Sequence, residues 1–175
     1  MQRPTHYRSG VGIVLFNPDG LIFAGRRLDN RPPPWQMPQG GLDDHESLHQ
    51  AALRELAEET GTNRAEILAV TADWHRYDYP HMDSTKRARL YRGQQHRWLL
   101  LRYTGQDQHI RVDTAKPEFS LWRWMPPQEL TRQVVEFKRP VYQAVFAEFA
   151  PLIAQSLQNG GATPPRRVLA AHPLI

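Results

Sequence analysis

The chain has no cysteine among its 175 residues, which rules out disulfides and thiolate metal sites. It also lacks any run approaching the 18 or so apolar residues of a membrane span. The first ten residues, MQRPTHYRSG, offer no apolar stretch of the kind a signal peptide needs. A cytoplasmic protein without a membrane partner is therefore expected. There is no internal repeat, and the eight histidines show no metal-ligand spacing. Charge of one sign is only mildly in excess, at +4. That permits a polyanionic partner but is equally what solubility alone would select.

What is present suits one ordinary domain. Hydrophobic residues make up 40% of the chain, with five Trp and six Phe, enough to bury a core at this length. Two β-rich runs, 11–17 and 21–27, flank Pro18-Asp19-Gly20 and read as a hairpin. A loop follows at Pro32-Pro33-Pro34, because consecutive prolines cannot donate ladder hydrogen bonds. A short run at 35–37, a turn at Gly40-Gly41 and a helix over 46–60 come next, with Gly61 as its C-terminal cap. Strands are expected at 66–76, 97–104 and 119–125. A second helix is expected at 137–149, ended or kinked by Pro151. The Gly/Pro-rich segment 159–175 reads as a flexible tail behind a domain spanning 1–158. Strands interleaved with two separated helices predict an α/β/α sandwich around a mixed β-sheet.

One segment carries chemistry. At about 100° per residue, Glu55, Glu58 and Glu59 share an arc of about 100° on the first helix. Carboxylates so close repel one another, and a divalent cation removes the conflict. Hard oxygen ligands favour Mg²⁺ or Mn²⁺ over zinc. Ala51 and Ala52, one turn back, leave room beside the acids, while Leu48, Leu53 and Leu56 can pack the helix on the sheet. A glutamate-rich helix alone is usually a solvated face. The wider spacing argues otherwise: Gly40, five residues, Glu46, seven residues, then Arg54-Glu55-Leu56-Ala57-Glu58-Glu59-Thr60-Gly61.

This pattern resembles the Nudix box. The resemblance implies an α/β/α sandwich whose loop-helix-loop hydrolyses nucleoside diphosphates linked to another moiety. It implies Glu55, Glu58 and Glu59 as metal ligands, with Glu55 also orienting or deprotonating water. Arg54 would hold Glu55 by a charge-assisted hydrogen bond, and Gly40 would let its backbone approach the metal. Glu46 would be structural, at the helix start where negative charge suits the macrodipole. Two positions depart from the box: His45 stands where Gly is common, and Thr62 replaces a final aliphatic residue.

Outside the box, Tyr7-Arg8, Arg26-Arg27, Trp35 to Gly41, Trp74 to Tyr77, Gly93-Gln94 with Trp98, Pro117-Glu118-Phe119, Trp122-Arg123-Trp124 and Val134 to Arg139 occur in order over residues 7–150. Together they resemble the branch that holds bacterial RNA pyrophosphohydrolases and dinucleoside polyphosphate hydrolases. RNA 5′ ends or dinucleoside polyphosphates are the substrates this implies. It also assigns substrate contacts to Arg8, Arg27, Gln39, Tyr77, Gln94, Arg97, Val135, Phe137 and Lys138, and a catalytic acid to Glu118. Arg8, Arg27, Arg97 and Lys138 would meet polyphosphate, and Phe137 and Tyr77 would offer faces for an unpaired base. The basic segment 85–97 is either a mobile loop or a track for an RNA backbone. A catalytically silent RNA- or nucleotide-binding module is the reading of another class, and the intact acid set argues against it.

Overall fold

A computed structural model describes residues 4–29, 34–81 and 83–160. Most of the triple-proline loop and the tail from 161 onward lie outside these residues. Eight strands form one sheet: β1 (Tyr7–Phe16), β2 (Ile22–Arg27), β3 (Trp35–Gln36), β4 (Gln39–Gly41), β5 (Ala65–Val70), β6 (His75–Asp78), β7 (Gly93–Tyr103) and β8 (Phe119–Met125). Four helices accompany them: α1 (Leu48–Thr60), α2 (Lys86–Leu90), α3 (Pro127–Gln133) and α4 (Arg139–Gln158). The backbone of the sheet runs β3-β2-β1-β7-β5, with β4 on β1, β6 on β7 and β8 on β2. Only β1 and β7 pair in parallel; the other ladders are antiparallel. The sheet is mixed, as expected.

Side chains alternate across the central strands, as a two-sided sheet requires. Val11, Ile13 and Leu15 of β1, with Leu99 and Leu101 of β7, meet Ala51, Ala52 and Leu56 of α1. Val14 and Phe16, with Trp98 and Leu100, meet Tyr142, Val145 and Phe149 of α4. These two apolar layers enclose the sheet and make the expected sandwich. Ala51 and Ala52 are fully buried in the core, so their small size serves close approach of α1 to the sheet rather than space beside the acids.

Several boundaries differ from expectation, each for a local reason. The helix begins at Leu48, because Ser47 caps it: Ser47 Oγ accepts from Gln50 N–H at 3.1 Å while Gln50 Oε1 accepts from Ser47 N–H at 2.9 Å. Gly40-Gly41 is strand rather than turn, antiparallel to Val11 and Gly10. The single strand expected over 66–76 is two, β5 and β6, separated where Thr71 turns back to bond Trp98. A short helix, α2, occupies part of the basic segment, capped by Thr85 accepting from Ala88 N–H. The helix α4 continues through Pro151 to Gln158. Its apolar face, including Phe149 and Ile153, stays packed on both sides of that proline. Among the described residues no helix is long and apolar enough to cross a membrane.

Candidate active site

Glu55 and Glu59 of α1 are buried, whereas the Glu58 side chain is 59% exposed. Arg54 organises Glu55 and Glu58. Its Nη1 donates to Glu55 Oε1 at 2.8 Å, and its Nη2 donates to Gly41 O at 2.9 Å. Glu46 grips the same guanidinium with both oxygens, at 2.7 Å from Nε and 2.8 Å from Nη2. Such a bidentate pair fixes direction as well as charge. Glu46 therefore lies just before the helix, where it clamps Arg54; the first turn of α1 itself holds no acid. The Arg54–Glu55 bond expected from the sequence is present.

Gly40 approaches the acids as closely as expected: a Cβ there would sit 1.8 Å from the Glu55 carboxyl carbon. No side chain fits in that space. Burial raises the carboxyl pKa of Glu55, and it raises that of Glu59 well above the usual range. The charges of Glu55 and then Glu118 add to the second shift. The backbone N–H of Gln39 works against that shift, but Glu59 Oε2 is buried without a partner. An orphaned carboxylate oxygen beside a second buried carboxylate suits a cation, which would satisfy the oxygen and remove the repulsion. Among the described residues no three His, Cys, Asp or Glu side chains form a ready-made metal site, and Glu58 Oε1 lies 3.5 Å from Arg54 Nη1.

The acids open on a cleft of about 550 Å³. Arg8, Arg27, Gln36, Gln39, Gln94 and Arg87 line it, as do Ala57, Glu58, Glu118 and residues 114–116. Arg27 is steered by Asp29 and by Gln36 Oε1, 3.2 Å from its Nη1. Gln39 Nε2 donates to Tyr77 Oη and to Gln94 Oε1, at 3.3 and 3.2 Å, and Gln94 Nε2 donates to Tyr79 Oη at 2.7 Å. Of the residues expected at a substrate site, Arg8, Arg27, Gln39, Gln94 and Glu118 are brought together here.

The remainder are placed differently. Lys138 is buried, its Nζ donating to Gln36 Oε1 at 3.1 Å and Gln39 Oε1 at 3.3 Å. Burial, reinforced by Arg27, pushes its pKa down to about 7. It acts on the cleft through those two amides and does not present a free ammonium. Tyr77 is core, 6% exposed, with its ring 5.4 Å from that of Phe137. Phe137 and Val135 are half-buried and lean on the same apolar layer. Arg97 lies opposite Val11 in β7, does not line the cleft, and has a buried Nε without a partner. Sequence reasoning missed Gln36, Thr114 and Lys116 as lining residues. The only available signal was their closeness to Gln39 and Glu118 in the chain.

A larger, mainly apolar groove of about 690 Å³ lies between α3, α4 and the β1–β2 turn, but Asp19 is its one acid. The acidic cleft has the groups for chemistry.

Comparison with known proteins shows the family. The NUDIX domain family matches residues 6–145. A protein named RNA pyrophosphohydrolase from Cereibacter sphaeroides is 48% identical over 151 residues, covering 85% of this chain and 93% of that protein. One of the same name from Novosphingobium aromaticivorans is 49% identical over 152 residues, covering 84% and 94%. Among solved structures, a C. elegans Ap4A hydrolase binary complex has a TM-score of 0.60 at 16% identity, covering 82% of this chain and 98% of that one. At such low identity that likeness speaks for the fold alone. With the family matching most of its length and the box residues gathered at one cleft, the chain belongs to the Nudix family.

Proposed function

We propose that this chain is a metal-dependent pyrophosphohydrolase that removes pyrophosphate from the 5′-triphosphate end of RNA in the cytoplasm and so starts transcript decay. One observation carries the reading: two buried carboxylates, Glu55 held by Arg54 and Glu59 beside it, face a cleft that Arg8, Arg27 and Arg87 also line. Anionic chemistry at the floor and cationic side chains at the rim suit a polyphosphate held over a cation site. The RNA substrate is supported by relatives of that printed name at 48% and 49% identity, aligned over most of both chains.

Nudix hydrolases generally need divalent cations, and oxygen-only ligands favour Mg²⁺ or Mn²⁺ here. Glu55 and Glu59, joined by Glu58 once it leaves Arg54, would hold them, with Gly40 giving close backbone approach. When bound, such ions neutralise phosphate oxygens and make water more acidic. The chain's own residues do the rest. Arg54 holds Glu55 in one orientation, so that this carboxylate can direct water at phosphorus and take its proton. Glu118, at the cleft edge near Glu59 and Arg27, is a second acid at the reacting group. Arg8 and Arg27 bind phosphate oxygens, Gln39 and Gln94 are positioned by the Tyr77, Tyr79 and Lys138 network, and Phe137 with Val135 supplies an apolar face for a base.

The test compares kcat/KM for short triphosphorylated RNA and for diadenosine tetraphosphate in one preparation. The reading expects RNA to be the better substrate. Phe137→Ala should lower RNA use by about 1–3 kcal/mol, the usual worth of one stacked base, with the melting transition retained. A higher kcat/KM for the dinucleotide would move the assignment to dinucleoside polyphosphates. A Phe137→Ala protein that melts early but turns over normally per folded molecule would make Phe137 a core residue.

A further inference from the structure

One wall of the cleft is a single segment with two anchors. At one end Arg111 N–H donates to Thr60 O at 2.7 Å, at the C-terminal end of α1. At the other, Leu28 N–H donates to Glu118 O at 3.2 Å, where β8 joins β2. Between the anchors, Thr114, Ala115 and Lys116 line the cleft along with Ala57 and Glu58. Lys116 is exposed and, among the described residues, makes no hydrogen bond or ion pair. The Thr114 hydroxyl is enclosed without a partner. On this wall Lys116 is thus an exposed cation that no protein group among the described residues engages.

We infer that Lys116 binds the terminal phosphates of the substrate and the pyrophosphate they become. The inference rests on the pyrophosphohydrolase reading above. The apolar face of Phe137 and Val135, with Lys138 and Gln36, adjoins Arg27. With a 5′ nucleoside placed there, its outer phosphates would lie in the cleft that the acids share with residues 114–116. Hydrolysis breaks the anhydride between the first and second phosphates. The water oxygen bonds to one phosphorus, the bridging oxygen keeps the electron pair on the other, and a water proton passes to a carboxylate. Both products gain negative charge, and the outer one is a compact polyanion. Lys116 is a flexible, exposed point charge suited to such an ion.

The test is direct binding of inorganic pyrophosphate, with Mg²⁺ present, to the wild-type chain, Lys116→Ala and Lys116→Arg by calorimetry. A monophosphorylated dinucleotide RNA is measured in parallel. Lys116→Ala should weaken pyrophosphate about tenfold, as removal of one charge-assisted hydrogen bond does, and Lys116→Arg should stay within about threefold of wild type. Affinity for the monophosphorylated RNA should not move. An unchanged pyrophosphate Kd in Lys116→Ala, or equal weakening of both ligands, overturns the assignment. If the wild type fails to hydrolyse triphosphorylated RNA, the substrate reading falls instead, and the pyrophosphate Kd still judges Lys116.

Discussion

His45 illustrates how a single residue can be legible in sequence yet unexplained until the backbone is known. It departs from the glycine usual in the Nudix box, and its φ of 66° places it in the left-handed region, unlike any other described non-glycine residue. An L-residue is strained there by about 1–2 kcal/mol, less the extra chain entropy that glycine loses on folding. His45→Gly should therefore stabilise the fold by about 0.5–1 kcal/mol, or a melting temperature a few degrees higher for a chain of this size. A melting temperature that stays level or drops would mean that the His45 side chain makes a compensating interaction. The other departure, Thr62, is buried but satisfied: its Oγ1 accepts from Arg64 N–H at 3.2 Å. Glu55, Glu59, Arg54 and Gly40 were readable because the box fixes residue type and spacing together. Lys138 was not, since a lysine in sequence looks the same whether its ammonium meets solvent or is enclosed by Gln36 and Gln39.

Periodicity located the long central elements because a buried face imposes it. The pattern is weakest where tertiary packing sets a boundary: Ser47 starts α1 through a capping box, and α4 passes Pro151 because the core on both sides holds it. Sequence alone left the basic segment open between loop and track, and α2 resolves its geometry. Arg87 lines the cleft, whereas Arg92 pairs with Asp78 at 2.9 Å and lies over the Tyr7 ring at 5.9 Å. The contribution of α2 to RNA binding should thus be concentrated in Arg87. Arg87→Ala should lower RNA affinity and flatten its salt dependence by about 0.7 for each phosphate no longer neutralised. Lys86→Ala with Arg89→Ala should do less. Binding titrations of short triphosphorylated RNA across a salt series measure both slopes. A larger flattening in the Lys86/Arg89 double variant would make the outer face of α2 the track and Arg87 a bystander.

For the whole molecule, the sandwich places α1 on one face of the sheet and α4 on the other, while the cleft gathers side chains from α1, β1, β2, β3, β4, β7, α2 and the segment before β8. Fold class and reaction class could be read early because one contiguous motif carries the acids. The opposite walls could not, because they come from distant parts of the chain, and no local pattern brings Arg87 or Lys116 to Glu58. Everything proposed for the cleft depends on Glu55, Glu58 and Glu59 of α1 holding the cations for anhydride hydrolysis. The most direct test is pyrophosphate release from triphosphorylated RNA, measured for wild type, Glu58→Gln and Glu59→Gln, in EDTA and after adding back Mg²⁺ or Mn²⁺. The expected result is no release in EDTA, recovery of the wild type with either ion, and a loss in kcat of at least ~10² in both variants. Turnover in EDTA, or near-wild-type kcat for Glu59→Gln with folding intact, would contradict that role for the helix.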